Sequence, residues 1–209
     1  MTGPAGHRPR RVIDGGDVVR GAARHFRAYG SLDMDRLAIE LAVSRATLYR
    51  VVGNRDALLG DALWLLARRL LRPRPPGGSF GVDGVIEVSR RFVAGVRAAE
   101  PLRRFIDAEP ETAARVLFTA AGNVHGRAVR AQYEVFVEAG LAGAGLDAAA
   151  LYVGIVESVL FGDLFRGPRV GFAVAERALR ALLPDTRPAR RTAAGLQIRT
   201  FAEANRGLH

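Results

Sequence analysis

Two short helical stretches separated by only three residues constrain this chain more than any other feature. Residues from about Met34 to Leu41 and from Ser44 to about Val51 carry apolar side chains at helical spacing, and Asp33 and Ser44 are placed to cap them. The link from Leu41 to Val43 is too short for the helices to lie antiparallel, so they must cross steeply, as in a helix-turn-helix. Such a pair needs a helical backing. Val18, Val19, Ala22, Ala23 and Phe26 form a stripe that Gly30 is placed to end, and Asn54 can cap a further helix reaching about Leu71. The expected internal packing sets Met34, Leu37, Ala38, Val43 and Leu48 against Phe26, Leu58 and Leu59.

No stretch shows the alternation of a strand, so the chain is expected to be all-α. Pro73, Pro75, Pro76, Gly77 and Gly78 interrupt the helical pattern and mark the best domain boundary. Beyond them, apolar stripes predict helices near residues 82–98, 101–108, 110–120, 123–139, 147–166 and 169–183, with Pro101, Pro110 and Pro168 suited to first turns. The division that follows has four parts. Residues 1–11 form a basic arm, 12–72 a three-helix helix-turn-helix domain with its following helix, 79–186 a larger helical bundle, and 187–209 a basic tail with a short helix over 193–204.

Charge follows the same division. Residues 1–74 hold 14 Arg against 7 acids, residues 75–186 hold 12 against 13, and residues 187–209 hold 5 against 1. A basic small module on a near-neutral body is the footprint of a protein that meets a polyanion through the small module alone. All 31 basic residues are Arg, which together with abundant Ala and Gly fits a GC-rich genome better than selection for guanidinium chemistry and carries little functional weight. With no cysteine there is no disulfide framework, thiol nucleophile or Cys-bound zinc. No uninterrupted apolar run suggests a membrane span or secretory signal, so a cytoplasmic protein is expected.

The exposed face of the third helix carries Arg45, Thr47, Tyr49 and Arg50, all able to donate hydrogen bonds to phosphates or base edges. The run Met34-Asp35-Arg36-Leu37-Ala38-Ile39-Glu40-Leu41-Ala42-Val43-Ser44-Arg45-Ala46-Thr47-Leu48-Tyr49-Arg50, followed by Gly53-Asn54-Arg55-Asp56-Ala57-Leu58-Leu59, resembles the signature of the TetR family of transcriptional regulators. The resemblance implies that Thr47, Tyr49 and Arg55 grip phosphates of a double-stranded operator and that Arg45 and Ala46 meet base edges. It departs from the family at Ala42, where a turn glycine is usual, and at Val51-Val52, where His-Phe is frequent. The backbone at Ala42 is therefore expected to be strained or built differently. Arg8, Arg10 and Arg11 read equally as a DNA-contacting arm and as an ordinary tail.

For the larger domain the resemblance implies a cavity for a small-molecule effector and a homodimer through residues 147–183, where Leu151, Ile155, Val159, Leu160, Val170, Phe172, Val174, Leu179 and Leu182 supply apolar surface. Candidate effector contacts are Trp64, Phe92, Phe105, Phe118, Tyr133, Phe136, Tyr152 and Phe161, with Arg104, Asn123, His125 and Glu157 as polar groups. Taken alone, His125 reads more readily as a satisfied helix histidine than as a ligand contact. Val156-Glu157-Ser158-Val159-Leu160-Phe161-Gly162-Asp163 resembles a TetR subgroup associated with lactone quorum signals.

The rival classes are an enzyme, a purely structural or scaffold protein, and a helical small-molecule-binding protein without DNA. No Gly-rich phosphate loop, nucleophile elbow, metalloprotease motif or paired histidine cluster supports catalysis, so neither a cofactor nor a metal is expected. Glu134 and Glu138, one turn apart, read as solvated surface. The chain is expected to be a ligand-responsive DNA-binding regulator, released from its operator by an apolar effector.

Overall fold

Asp14, Asp33, Ser44 and Asn54 each stand in extended backbone, and each side chain accepts a hydrogen bond from an amide in the turn that follows. These four caps start α1 (Gly15–Tyr29), α2 (Met34–Glu40), α3 (Arg45–Val52) and α4 (Arg55–Ala67). The computed structural model describes residues 13–71, 81–165 and 170–183, and every regular element within them is helical. The basic arm, the Pro/Gly boundary, Pro168 and the expected helix over 193–204 lie outside the described residues.

The larger part comprises α5 (Gly81–Arg97), α6 (Glu100–Ala108), α7 (Pro110–Phe118), α8 (Val124–Glu138), a 3-10 turn (Ala142–Ala144), α9 (Gly145–Leu164) and α10 (Phe172–Leu182). Pro101 and Pro110 occupy the first turns of α6 and α7, where a missing amide hydrogen costs nothing. α4 ends at Ala67, short of the expected Leu71, and α10 begins at Phe172 after an extended Gly171.

Two buried clusters organise these helices. The first joins Val18, Phe26, Leu37, Leu48, Leu58 and Leu59 of α1–α4 with Phe105 and Ile106 of α6 and Ala113, Val116 and Leu117 of α7. The reading helices therefore share a core with elements beyond the Pro/Gly break. Phe105 packs edge-on against Phe26 with ring centroids 5.6 Å apart. The second cluster lies among α5, α8, α9 and α10, with Val85, Ile86, Phe136, Tyr152, Leu160 and Leu179 at its centre. Leu102 and Phe161 pack against both.

α4 belongs to the first cluster and crosses the second part at close range. A Cβ on Gly60 would fall 2.2 Å from the Gly122 carbonyl oxygen, so α4 meets the α7–α8 turn backbone to backbone. Around this crossing, Arg55 bonds Glu109, Asp56 accepts from Arg115 at 2.6 Å, and Asp61 accepts from Arg127.

Candidate nucleic-acid interface and effector cavity

The turn between α2 and α3 is a Schellman closure. The Ala42 amide donates to the Ile39 carbonyl and the Val43 amide to the Ala38 carbonyl, each at 3.0 Å. Ala42 takes φ +54, the left-handed conformation ordinarily left to glycine. The departure from the family pattern is thus accommodated by strain at an alanine, in an otherwise ordinary turn.

Leu48 is fully buried beneath α3 and anchors it, leaving the opposite face open. Arg45, Ala46 and Arg50 are exposed, and Thr47 and Tyr49 half-buried. The Ser44 hydroxyl accepts from the Thr47 amide at 3.1 Å and lies 2.9 Å from the Thr47 hydroxyl, so the cap also orients Thr47. The Arg45 guanidinium pairs with Asp35 at 3.0 Å and lies 5.6 Å from the centre of the Tyr49 ring. These contacts hold it over the α2–α3 crossing. Asp33 is held below its usual carboxylate range by the Arg36 and Asp35 amides that it caps.

Arg55 stands apart from this face. Its Nε donates to the Leu32 carbonyl and its Nη2 to Glu109 Oε1, both at 2.8 Å, and less than a third of its side chain is exposed. The guanidinium is turned inward to the α6–α7 junction, and the phosphate grip that the resemblance implies for Arg55 would require it to leave these partners.

A cavity of about 100 Å³ lies where α4, α5, α8 and α9 meet. Four of the expected effector contacts line it: Trp64, Phe92, Glu157 and Phe161. The others are placed elsewhere. Phe105 and Tyr152 are fully buried, the first against Phe26 and the second beside Phe136. Arg104 is exposed near Glu100, Asn123 is exposed at the start of α8 with φ +50, and Tyr133 packs against the second core. Phe118 rests edge-on against Phe161 in an outer groove on the far side of the cavity wall. His125 reaches the site indirectly, its Nδ1 2.9 Å from Glu157 Oε2.

The bulk of an aromatic residue predicts burial but does not say which core its side chain enters. The cavity also holds Ser89 and Gln132, which sequence reasoning passed over. Their signal was available: each is a polar residue at a core-facing position of an apolar stripe, Ser89 between Val85 and Val93, Gln132 between Val129 and Phe136. Burial pushes the Glu157 carboxyl up, with His125 offsetting part of the rise, and pushes the Tyr152 hydroxyl up to about 12. Val156, Glu157, Leu160 and Phe161 of the stretch resembling the lactone-associated subgroup all line the cavity.

A capped helix-turn-helix with an open arginine-bearing face, riding on a helical body that encloses an apolar cavity, defines a ligand-responsive DNA-binding regulator. The tetracyclin repressor-like C-terminal domain family matches residues 80–184, half of the chain, and the chain belongs to that family. It is a transcriptional regulator of the TetR class and not an enzyme. The R. erythropolis transcriptional repressor QsdR, from the TetR family, superposes with a TM-score of 0.71 at 25% identity, over 83% of this chain and 96% of that one. No curated protein sequence matches.

Proposed function

We propose that the protein is a cytoplasmic homodimeric repressor that binds a two-fold symmetric operator through α3 and leaves it when a small, mostly apolar effector enters the cavity. The observation that carries this reading is the open face of α3: Leu48 is buried beneath it, and Arg45, Ala46, Thr47, Tyr49 and Arg50 are left for the major groove and its flanking phosphates. Residues 12–72 supply the reading head and residues 79–186 the sensing and dimerising body. QsdR is a repressor, and this chain takes that sign of regulation by analogy.

Residues 147–183 form the dimer face. The segment Ala142–Gly162 has a mean hydropathy of 1.6 and by length and composition alone suffices to cross a membrane. Asp147 and Glu157 within it, and its packing against α8 and α10, favour a protein partner instead. Only a third of its most apolar window is buried within one chain, with Leu151 56% exposed and Val174 of α10 39% exposed. A second copy is the partner that would cover this surface.

α4 links the two activities. Its start touches the reading head, Trp64 lines the cavity, and Gly60 fixes its crossing with the α7–α8 turn. An effector that displaces Trp64 would tilt α4 and change the separation of the two α3 helices in the dimer. The experiment is selection of binding sites from random DNA with the full chain, followed by titration at several salt concentrations. The reading requires a symmetric site and an affinity that falls steeply with salt as counterions are released.

A further inference from the structure

A carboxylate stands beside the reading helix, where a polyanion must come close. Asp35, in the first turn of α2, sets Oδ1 3.0 Å and Oδ2 3.1 Å from Arg45 Nη1 in the first turn of α3. The two side chains are 65% and 60% exposed, and an ion pair so open to water adds little to stability. Close to DNA phosphates the same carboxylate lowers affinity by repulsion. Its use must lie in what it does to Arg45.

Both oxygens engage Nη1 alone. Nε and Nη2, the donors on the other edge of the guanidinium, are engaged by no carboxylate among the described residues. Tyr49, one turn further along α3, backs the group, with its ring centre 5.6 Å away and its hydroxyl close by. A long side chain held from two sides loses less freedom on binding than one that is free. The open fork matches two acceptors on one base edge, and in the major groove guanine presents that pair as O6 and N7.

We infer that Asp35 is a positioning residue that sets the specificity of this regulator, holding the Arg45 guanidinium so that Nε and Nη2 together read one guanine in each half-site of the operator. Without Asp35 the guanidinium is free to turn to a phosphate, where it adds affinity and reads no base. This rests on the reading of α3 as the helix that meets base edges.

The test uses the full-length protein as wild type, Asp35→Ala, Asp35→Asn, Arg45→Ala and the Asp35→Ala/Arg45→Ala double variant. Sites are selected from random DNA, and affinity is then measured on duplexes carrying each base, or 7-deazaguanine, at the position whose preference Arg45→Ala loses. The wild type should prefer guanine there by about tenfold or more and lose a comparable factor on 7-deazaguanine, which lacks the N7 acceptor. Asp35→Ala should cut the preference to about threefold or less while binding the disfavoured duplexes as well as the wild type or better. Asp35→Asn, which keeps an acceptor without the charge, should fall between the two, and it carries the comparison if the alanine variant does not fold. In the Arg45→Ala background Asp35→Ala should leave base preference unchanged, whereas a merely structural part in α2 would weaken binding to all duplexes alike in both backgrounds. A base other than guanine at the Arg45-dependent position, indifference to 7-deazaguanine, or a guanine preference that survives the Asp35 variants overturns the inference and leaves α3 as the reader. Recovery of no preferred site, or of the same site with Arg45→Ala, overturns that reading itself, and the inference with it.

Discussion

Arg55 Nη2 donates to Glu109 Oε1 at 2.8 Å and ties the first turn of α4 to the junction of α6 and α7. The same guanidinium donates through Nε to the Leu32 carbonyl in the loop between α1 and α2. One side chain thus joins the reading head, the connecting helix and the sensing body.

Replacing Arg55 by Met separates a junction role from a phosphate role. Loss of these bonds leaves the Leu32 carbonyl and Glu109 unpaired, at a cost of about 1–3 kcal/mol in stability. The slope of log affinity against log salt should stay as in the wild type. A phosphate contact would instead lower that slope by about one.

Ala42→Gly should stabilise the protein. Left-handed backbone costs an alanine about 1–2 kcal/mol, and glycine recovers most of this against its own larger entropy of folding, leaving a net gain of about 1 kcal/mol. Ala42 is exposed, so removing its methyl group loses little packing. Thermal denaturation of the two proteins decides the point, and a lower melting temperature for the glycine variant would refute the strain.

Gly60→Ala should act on coupling and on stability together. The added methyl would stand 2.2 Å from the Gly122 carbonyl oxygen, so α4 must move away from the α7–α8 turn. The overpacking should cost about 1–3 kcal/mol. Operator affinity measured with and without effector should differ less than in the wild type. If the difference were the same, α4 would not be the transmitting element.

Glu157 should make stability depend on pH in a defined direction. Burial raises its folded-state pKa above the unfolded value, so the folded state holds the proton more tightly. Stability from this group is therefore present below the unfolded value, near 4.3, and is lost as pH rises through the raised folded value. The melting temperature of wild type minus that of Glu157→Gln, followed from about pH 4 to about pH 8, should fall across that window. A difference that rose with pH would reverse the assignment.

The reading head was legible in the sequence because its determinants are local. Caps at Asp33, Ser44 and Asn54, the stripe from Val18 to Phe26 and the three-residue turn each act within a few positions, and all are found as expected. The inward turn of Arg55 was not legible, since its partner Glu109 lies 54 residues away and on the far side of the Pro/Gly break. The cavity was half legible for a related reason. Helical spacing shows that Phe105 and Phe161 face inward, but tertiary packing decides that Phe105 meets Phe26 in one core while Phe161 closes the cavity between both. Ser89 and Gln132, which also line the cavity, are neither aromatic nor charged, and only their place in an apolar stripe marks them.

Whether α3 reads an operator as part of a symmetric dimer is decided by selecting sites from random DNA with the wild type and with Arg45→Ala. The wild type should recover a two-fold symmetric site whose half-sites are spaced by about one helical turn or a multiple of it. Arg45→Ala, which removes the guanidinium held over the α2–α3 crossing by Asp35, should relax the preference at one position in each half-site. An asymmetric site, or the same preference in both selections, would show that α3 does not read DNA in this way.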